Sequence, residues 1–255
     1  MNINGPLDLV VALLLVVVRI GAFLSIAPPF ASRTVPVRVR TTLAFAMALP
    51  VAPQLVKSVP TGTSELLGAV AFQAASGLVM GFIMMTLFMA IQVAGELVDL
   101  FGMFTMASIL DPISNVPVSM FGRVKQLVAV TLLFASNGHL IVIRGLLSSF
   151  EAAPLRAPDL GQLASLMVTN VGRLVVAAME IAAPMIVVLF IADIALGLIS
   201  RAVPTLNVFQ LSFPVKTIMV VTLSAMALAA VPGVLNVIVD RVVSQYQPVA
   251  RLRGG

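Results

Sequence analysis

The chain has no cysteine, no tryptophan, one histidine (His139) and one tyrosine (Tyr246), and only 10% of its 255 residues are charged. Without cysteine there is no disulfide, no thiolate nucleophile and no thiolate metal site, and the redox compartment stays open. A single histidine excludes a histidine relay or a multi-His metal centre. Within Asn137-Gly138-His139 it is read as a structural hydrogen bonder. A nucleic-acid interface needs a basic face interleaved with aromatics. Here the net charge of +5 is spread over short segments between apolar runs, which suits anionic headgroups or polar neighbours. No nucleophile–base pair, Gly-rich phosphate loop or metal-ligand spacing occurs. Glu96 and Asp99 are the only carboxylates close together in sequence, and they read as a solvated or partner-facing helix end. The expectation is a protein without catalytic residues, cofactor or metal, and not an enzyme.

What the chain has in excess is apolar residues. They make up 60% of it, its mean hydropathy is +1.12, and ordinary soluble domains carry about 25% charged residues. One water-soluble core cannot hide that much apolar surface, so the chain reads as an all-α integral membrane protein. Roughly six apolar helical segments are expected: Leu7–Ile26, Thr41–Val56, Leu66–Ala94, Gln126–Leu147, Leu174–Ile199 and Val215–Val239. Pro28-Pro29 closes the first, and Arg33, Arg38 and Arg40 follow as a basic loop. Pro53, Pro60 and Gly62 close the second, and Ala153–Gly161, with Pro154 and Pro158, connects two halves. Asp8 precedes the first run and Arg19 interrupts it. That is unlike a cleavable signal peptide, so the first helix is expected to be retained. No internal repeat or low-complexity tract is evident. Strict alternation of spans puts equal numbers of basic residues on the two sides, so some segments are expected to be hairpins that do not cross.

The segment after Leu66 carries the sharpest signal. It runs to Gly95 without a charge, which as a helix is roughly 45 Å, against roughly 30 Å of bilayer core. Glu96, Asp99, a Gly-, Met- and Phe-rich stretch and the breaker pair Asp111-Pro112 follow. Irregular backbone and carboxylates at membrane depth are tolerated only inside protein or along a cavity. Met80, Met84, Met85 and Met89 precede the break, and Met103, Met106 and Met120 lie within or after it. Such residues either fill an irregular core or form a deformable seal around variable cargo.

Other features leave alternatives open. Gly77 and Gly81 form a GxxxG, and Gly95 and Gly102 can share a helix face, so close helix packing is expected, within or between chains. Arg19, Arg173, Glu180, Asp193 and Arg201 lie in or at the ends of apolar runs, and Pro184 and Pro232 interrupt helical patterns. These charges either pair with one another or with neighbouring subunits, or they mark a proton or ion path. In the second case Asp193 or Glu180 would serve a secondary transporter.

Several blocks then carry a resemblance. Ala27-Pro28, Ser32-Arg33, Val35-Pro36 and Arg38-Val39-Arg40 come first, then Gly95-Glu96, Asp111-Pro112 with Ser114, and Asn137-Gly138-His139-Leu140. Leu196-Gly197-Leu198, Arg201, Pro204, Asn207-Val208-Phe209 and Phe213-Pro214-Val215-Lys216 complete the series. Together they resemble, in order, the FliR family of flagellar type III export-gate proteins. The resemblance implies one FliR-type domain over 1–255, with N-terminal helices (1–95), a broken plug-like region (96–125) and C-terminal helices (126–255). It implies helical hairpins that spiral into a hetero-oligomeric export-gate cone at the flagellar basal body in the bacterial inner membrane. The partners it implies are FliP and FliQ multimers, FlhB, exported unfolded flagellar subunits and membrane lipid, with no nucleic acid. The virulence injectisome version is the closest alternative.

By the same resemblance, the region from about Met106 to Met120 corresponds to a plug loop in the closed pore. Met103, Phe104, Met106, Ile109, Leu110, Ile113, Met120 and Phe121 would occupy or flank the pore axis. Gly102, Asp111-Pro112 and Pro117 would keep the segment non-helical. Glu96 and Asp99 would anchor the helix end to a partner, to Arg123 or to Lys125. Gly77, Gly81, Arg201, Asn207 and Lys216 are expected at assembly contacts.

Overall fold

The computed structural model describes residues 5–32, 34–104, 119–152, 160–205, 207–208 and 210–227. They form α1 (Gly5–Ile26), α2 (Val37–Ala48), a short α3 (Ala52–Leu55) leading into a 3-10 turn (Val56–Ser58), and α4 (Thr63–Phe101). After these come α5 (Met120–Ala135), α6 (Gly138–Ala152) and α7 (Leu160–Ala202), then α8 (Gln210–Ala227). No strand occurs among the described residues. The all-α membrane class is therefore what the chain adopts. Among the described residues, four helices are long and apolar enough to cross a bilayer, or up to six if each of two bent pairs counts as one span.

Local sequence accounts for the boundaries. Pro6 falls in the first turn of α1, where its missing N–H costs nothing. The 22 residues of α1 rise about 33 Å, close to the hydrocarbon thickness. Pro36 precedes α2 as its N-cap, and Pro50 stands in the turn before α3. The α2 and α3 axes bend by 58° at that break.

Several expectations change: the run Thr41–Val56 is α2 and α3 across a bend, α7 starts at Leu160 rather than near Leu174, and α8 starts at Gln210 rather than Val215. The run Gln126–Leu147 is two helices, α5 and α6, bent by 76°. Between them Asn137 takes a left-handed conformation with φ 57°, which asparagine tolerates better than most residues. The helix expected to end near Gly95 continues through Glu96 and Asp99 to Phe101. Glu96 can stay helical because Gln92 Nε2, one turn earlier, donates to Glu96 Oε1 at 2.8 Å. Pro184 lies inside α7 rather than ending it. It is exposed there, so one missing backbone hydrogen bond is accommodated without a stop. The Ala153–Gly161 connection up to residue 159, and Pro232, lie outside the described residues.

The chain forms two compact units: one of 1–86, 137–171 and 236–255, and one of 87–136 and 172–235. In the first, α1 packs on α2 and α3 and buries Leu15, Val16, Ile20, Phe23 and Leu24. The GxxxG of α4 works within the chain. A Cβ added at Gly77 would fall within 3.0 Å of Arg19 backbone and Ala22, and one at Gly81 would lie 2.9 Å from the Phe23 carbonyl oxygen. Two glycines thus let α4 approach the backbone of α1 closely, the packing that substitutes for hydrophobic driving force in lipid.

Arg19 sits at this crossing, only 1% exposed. Its Nε donates to Gln73 Oε1 at 2.6 Å. Its Nη1 donates to the Ser149 carbonyl at 3.1 Å and to Ser149 Oγ at 3.2 Å. The guanidinium lies 5.6 Å from the Phe72 ring centroid and 4.3 Å from that of Phe150. A planar fork of donors with weakly hydrated faces satisfies both demands at once, which a lysine ammonium does not. Arg19 joins α1, α4 and α6.

Candidate functional site

In the second unit, the C-terminal end of α4, the start of α5 and the helices α7 and α8 converge on the two ends of the connection between α4 and α5. Gly95 and Gly122 set the α4–α5 crossing: a Cβ at either would come within 3.0 Å of the other helix's backbone. Asp99, 1% exposed, reaches the start of α5 from there. Its carboxylate accepts from Ser119 Oγ and, at 3.1 Å, from the Phe121 backbone N–H. Ser119 is the N-cap of α5, and its Oγ accepts from Gly122 N at 2.9 Å. One hydroxyl therefore donates to the acid and accepts from the helix. A carboxylate at a helix N-terminus also meets the positive end of the dipole.

At the other end, α4 stops at Phe101, and Met103 takes a left-handed φ of 67°. Phe104 then packs edge-on to Phe121, with centroids 5.1 Å apart, and lies 6.2 Å from Phe213. Phe101, Phe104 and Phe121 rest on a buried cluster of Val98, Met185, Leu189 and Val220. Lys216, from α8, donates to the Phe101 carbonyl at 3.0 Å and pairs with Asp193 Oδ1 at 2.6 Å. This is the one ion pair within 4 Å among the described residues.

Of the residues singled out as plug or gate, Phe104 and Phe121 are brought into contact. Met103 forms the turn and Met120 is 64% exposed at the start of α5. Met106, Ile109, Leu110, Asp111, Pro112, Ile113 and Pro117 lie outside the described residues. Of those assigned to assembly, Gly77 and Gly81 pack on α1 of the same chain. Glu96 meets Gln92, and Asp99 accepts from Ser119 and Phe121 and also interacts electrostatically with Lys125. Arg201 is exposed at the end of α7. Asn207 Oδ1 accepts from Gln210 N at 3.4 Å, at the start of α8. Sequence reasoning missed Ser119, although a serine directly before an apolar run is an N-cap signal.

Long apolar helices and two bent helix pairs define a polytopic membrane protein, with polar contacts and an aromatic cluster at the two described ends of the α4–α5 connection. Comparison with known proteins gives the family. The family of bacterial export proteins, family 1, matches residues 10–242. Flagellar biosynthetic protein FliR of Escherichia coli (strain K12) is 32% identical over 209 residues, covering 81% of this chain and 80% of that protein. Its counterpart in Bacillus subtilis (strain 168) is 30% identical over 246 residues, 94% of this chain and 93% of the relative. Yop proteins translocation protein T of Yersinia pestis is 31% identical over 144 residues, 55% of each chain.

The chain belongs to the FliR family of bacterial export proteins. It is a membrane-embedded subunit of the flagellar type III export gate. The injectisome relative aligns over a much shorter stretch than the flagellar ones, which favours the flagellar system over the virulence one.

Proposed function

We propose that this subunit closes and lines part of the pore through which unfolded flagellar subunits cross the bacterial inner membrane, with the α4–α5 connection as the closing segment. The chain would act as one export-gate domain over its whole length, assembled with FliP and FliQ multimers and in contact with FlhB. The observation that carries the reading is the pinned break. The long helix α4 and the shorter α5 are joined by an apolar, Met- and Phe-bearing segment whose described ends are each held by a buried polar side chain, Lys216 and Asp99. A segment that must exclude ions yet yield to passing chains needs fixed ends and an apolar, deformable middle.

The outer face of α7 supports assembly with protein partners. Val175, Val176, Met179, Val187, Phe190 and Ile191 are exposed there, and so is Glu180. A bare carboxylate in the middle of a lipid-facing span costs about 2.5–3.5 kcal/mol, so a face carrying one is better covered by protein. Asp193, the alternative acid for a transporter, is already engaged by Lys216.

Native mass spectrometry tests the assembly. The tagged chain is extracted in mild detergent from cells that also express its chromosomal neighbours. One copy of this chain with several copies of smaller membrane proteins is expected. A stable lone monomer or homodimer would overturn the proposal and return attention to Asp193 and Glu180.

A further inference from the structure

We propose that Lys216 is the residue that positions the chain's departure from α4, capping the helix while its charge is held by Asp193, and so fixes where the α4–α5 connection begins. The last carbonyls of any helix lack intrahelical partners and carry the negative end of its dipole. The last turn of α4 contains no basic residue of its own. Its cation comes instead from α8, where Lys216 Nζ reaches the Phe101 carbonyl at 3.0 Å.

The rest of α8 fits that role. Phe213, Lys216 and Val220 lie at helical spacing on one face. Phe213 packs at 6.2 Å from Phe104, Lys216 bonds to Phe101, and Val220 Cγ2 lies 2.9 Å from where a Cβ on Gly102 would be. A single stripe of α8 thus touches three of the four residues that lead out of α4. The fourth, Met103, holds φ 67°, a conformation that a non-glycine residue keeps only where its surroundings over-determine it.

Burial explains why the pair with Asp193 is needed. The Lys216 side chain is 5% exposed and that of Asp193 42%. An ammonium so enclosed needs a countercharge and hydrogen-bond acceptors to offset its lost hydration. Asp193 Oδ1, at 2.6 Å, supplies the countercharge while a second N–H remains for the carbonyl. A compact ammonium serves both acceptors from one atom. That this departure point matters to gating rests on the pore-closing role proposed above; the positioning itself does not.

The test uses the assembled complex and hydrogen exchange of peptides covering 98–104, with α1 peptides as an internal reference. Lys216→Met is expected to raise exchange at 102–104 at least tenfold while α1 is unchanged. Asp193→Asn should raise it less. The exchanged pair, Asp193→Lys with Lys216→Asp, restores an ion pair but turns a carboxylate toward the Phe101 carbonyl, so it should be as loose as Lys216→Met. Exchange within twofold of wild type in Lys216→Met overturns the proposal, and so does full protection in the exchanged pair, which would reduce the site to a plain ion pair.

Should Lys216→Met not assemble, the cysteine-free background permits a second reading in membranes. Phe104→Cys with Phe213→Cys, bridged by a short bismaleimide that spans the gap left by the two rings, is expected to crosslink, and Asp193→Asn to lower that yield severalfold. An unchanged yield overturns the proposal. Loosened exchange without added ion permeability would uphold the positioning role and count only against the pore-closing role.

Discussion

Arg19 shows what a single charge does inside an apolar helix. It is hydrogen-bonded to Gln73 and Ser149 and stacked on Phe72 and Phe150, so truncation both empties volume and leaves buried acceptors unsatisfied. Arg19→Ala is expected to cost on the order of 3 kcal/mol, and Arg19→Lys somewhat less, because charge survives but the fork and the stacking do not. The measurement is the fraction of complex that stays assembled after heating in detergent. An unchanged midpoint in Arg19→Ala would mean that the network contributes nothing. Sequence alone marks Arg19 as a charge within an apolar run. It does not reveal the partners, which lie 54 and 130 positions away and meet it only through the tertiary fold. Asp99 is similar: an acid at a helix end is legible, whereas its donor twenty residues on, Ser119, requires the crossing of α4 and α5 to be known.

Elements were more legible than their junctions. Long uncharged runs announce spans because lipid tolerates little else; α1 follows its expected segment closely, whereas α4 keeps its expected start but runs on through Glu96 and Asp99 to Phe101. The break after α5 was not legible, because Leu140–Ile143 continue the apolar pattern across Asn137 and hide a bend of 76°. Glycine spacing predicted close packing but not its partner. Where a Cβ has no room, Gly77→Ala and Gly95→Ala must push helices apart, with an expected cost of about 1–3 kcal/mol each. Gly68, in the same helix α4, has nothing within 4 Å of an added Cβ. Gly68→Ala should therefore be neutral or stabilise by up to about 1 kcal/mol through helix propensity alone. Yield and thermal midpoint of the complex compare the three. Equal behaviour would show that the tight crossings are not limiting and that only propensity matters.

At the scale of the whole molecule, under the proposed pore-closing role, the two buried polar anchors and the segment between them divide the work, and a replacement can separate them. Residues 106–117 are exchanged for a glycine-serine linker of equal length, which leaves Ser119, Phe121, Asp99 and Lys216 in place. Reach and anchoring are then preserved, and what is lost is the apolar bulk of Met106, Ile109, Leu110 and Ile113. A polar linker is readily hydrated, so the closed pore should admit water and small ions while unfolded subunits, which need only an open path, still pass in part. The readout is ion-dependent swelling or conductance of membranes holding the assembled complex, beside the amount of exported protein. Raised ion flux with partial export is the expected result. Unchanged ion flux in a complex shown to be assembled would remove this segment from the seal and assign closure to other residues. Export lost with ions still excluded would make the segment part of the transport path itself, because its side chains would then be needed by the cargo rather than against the ions.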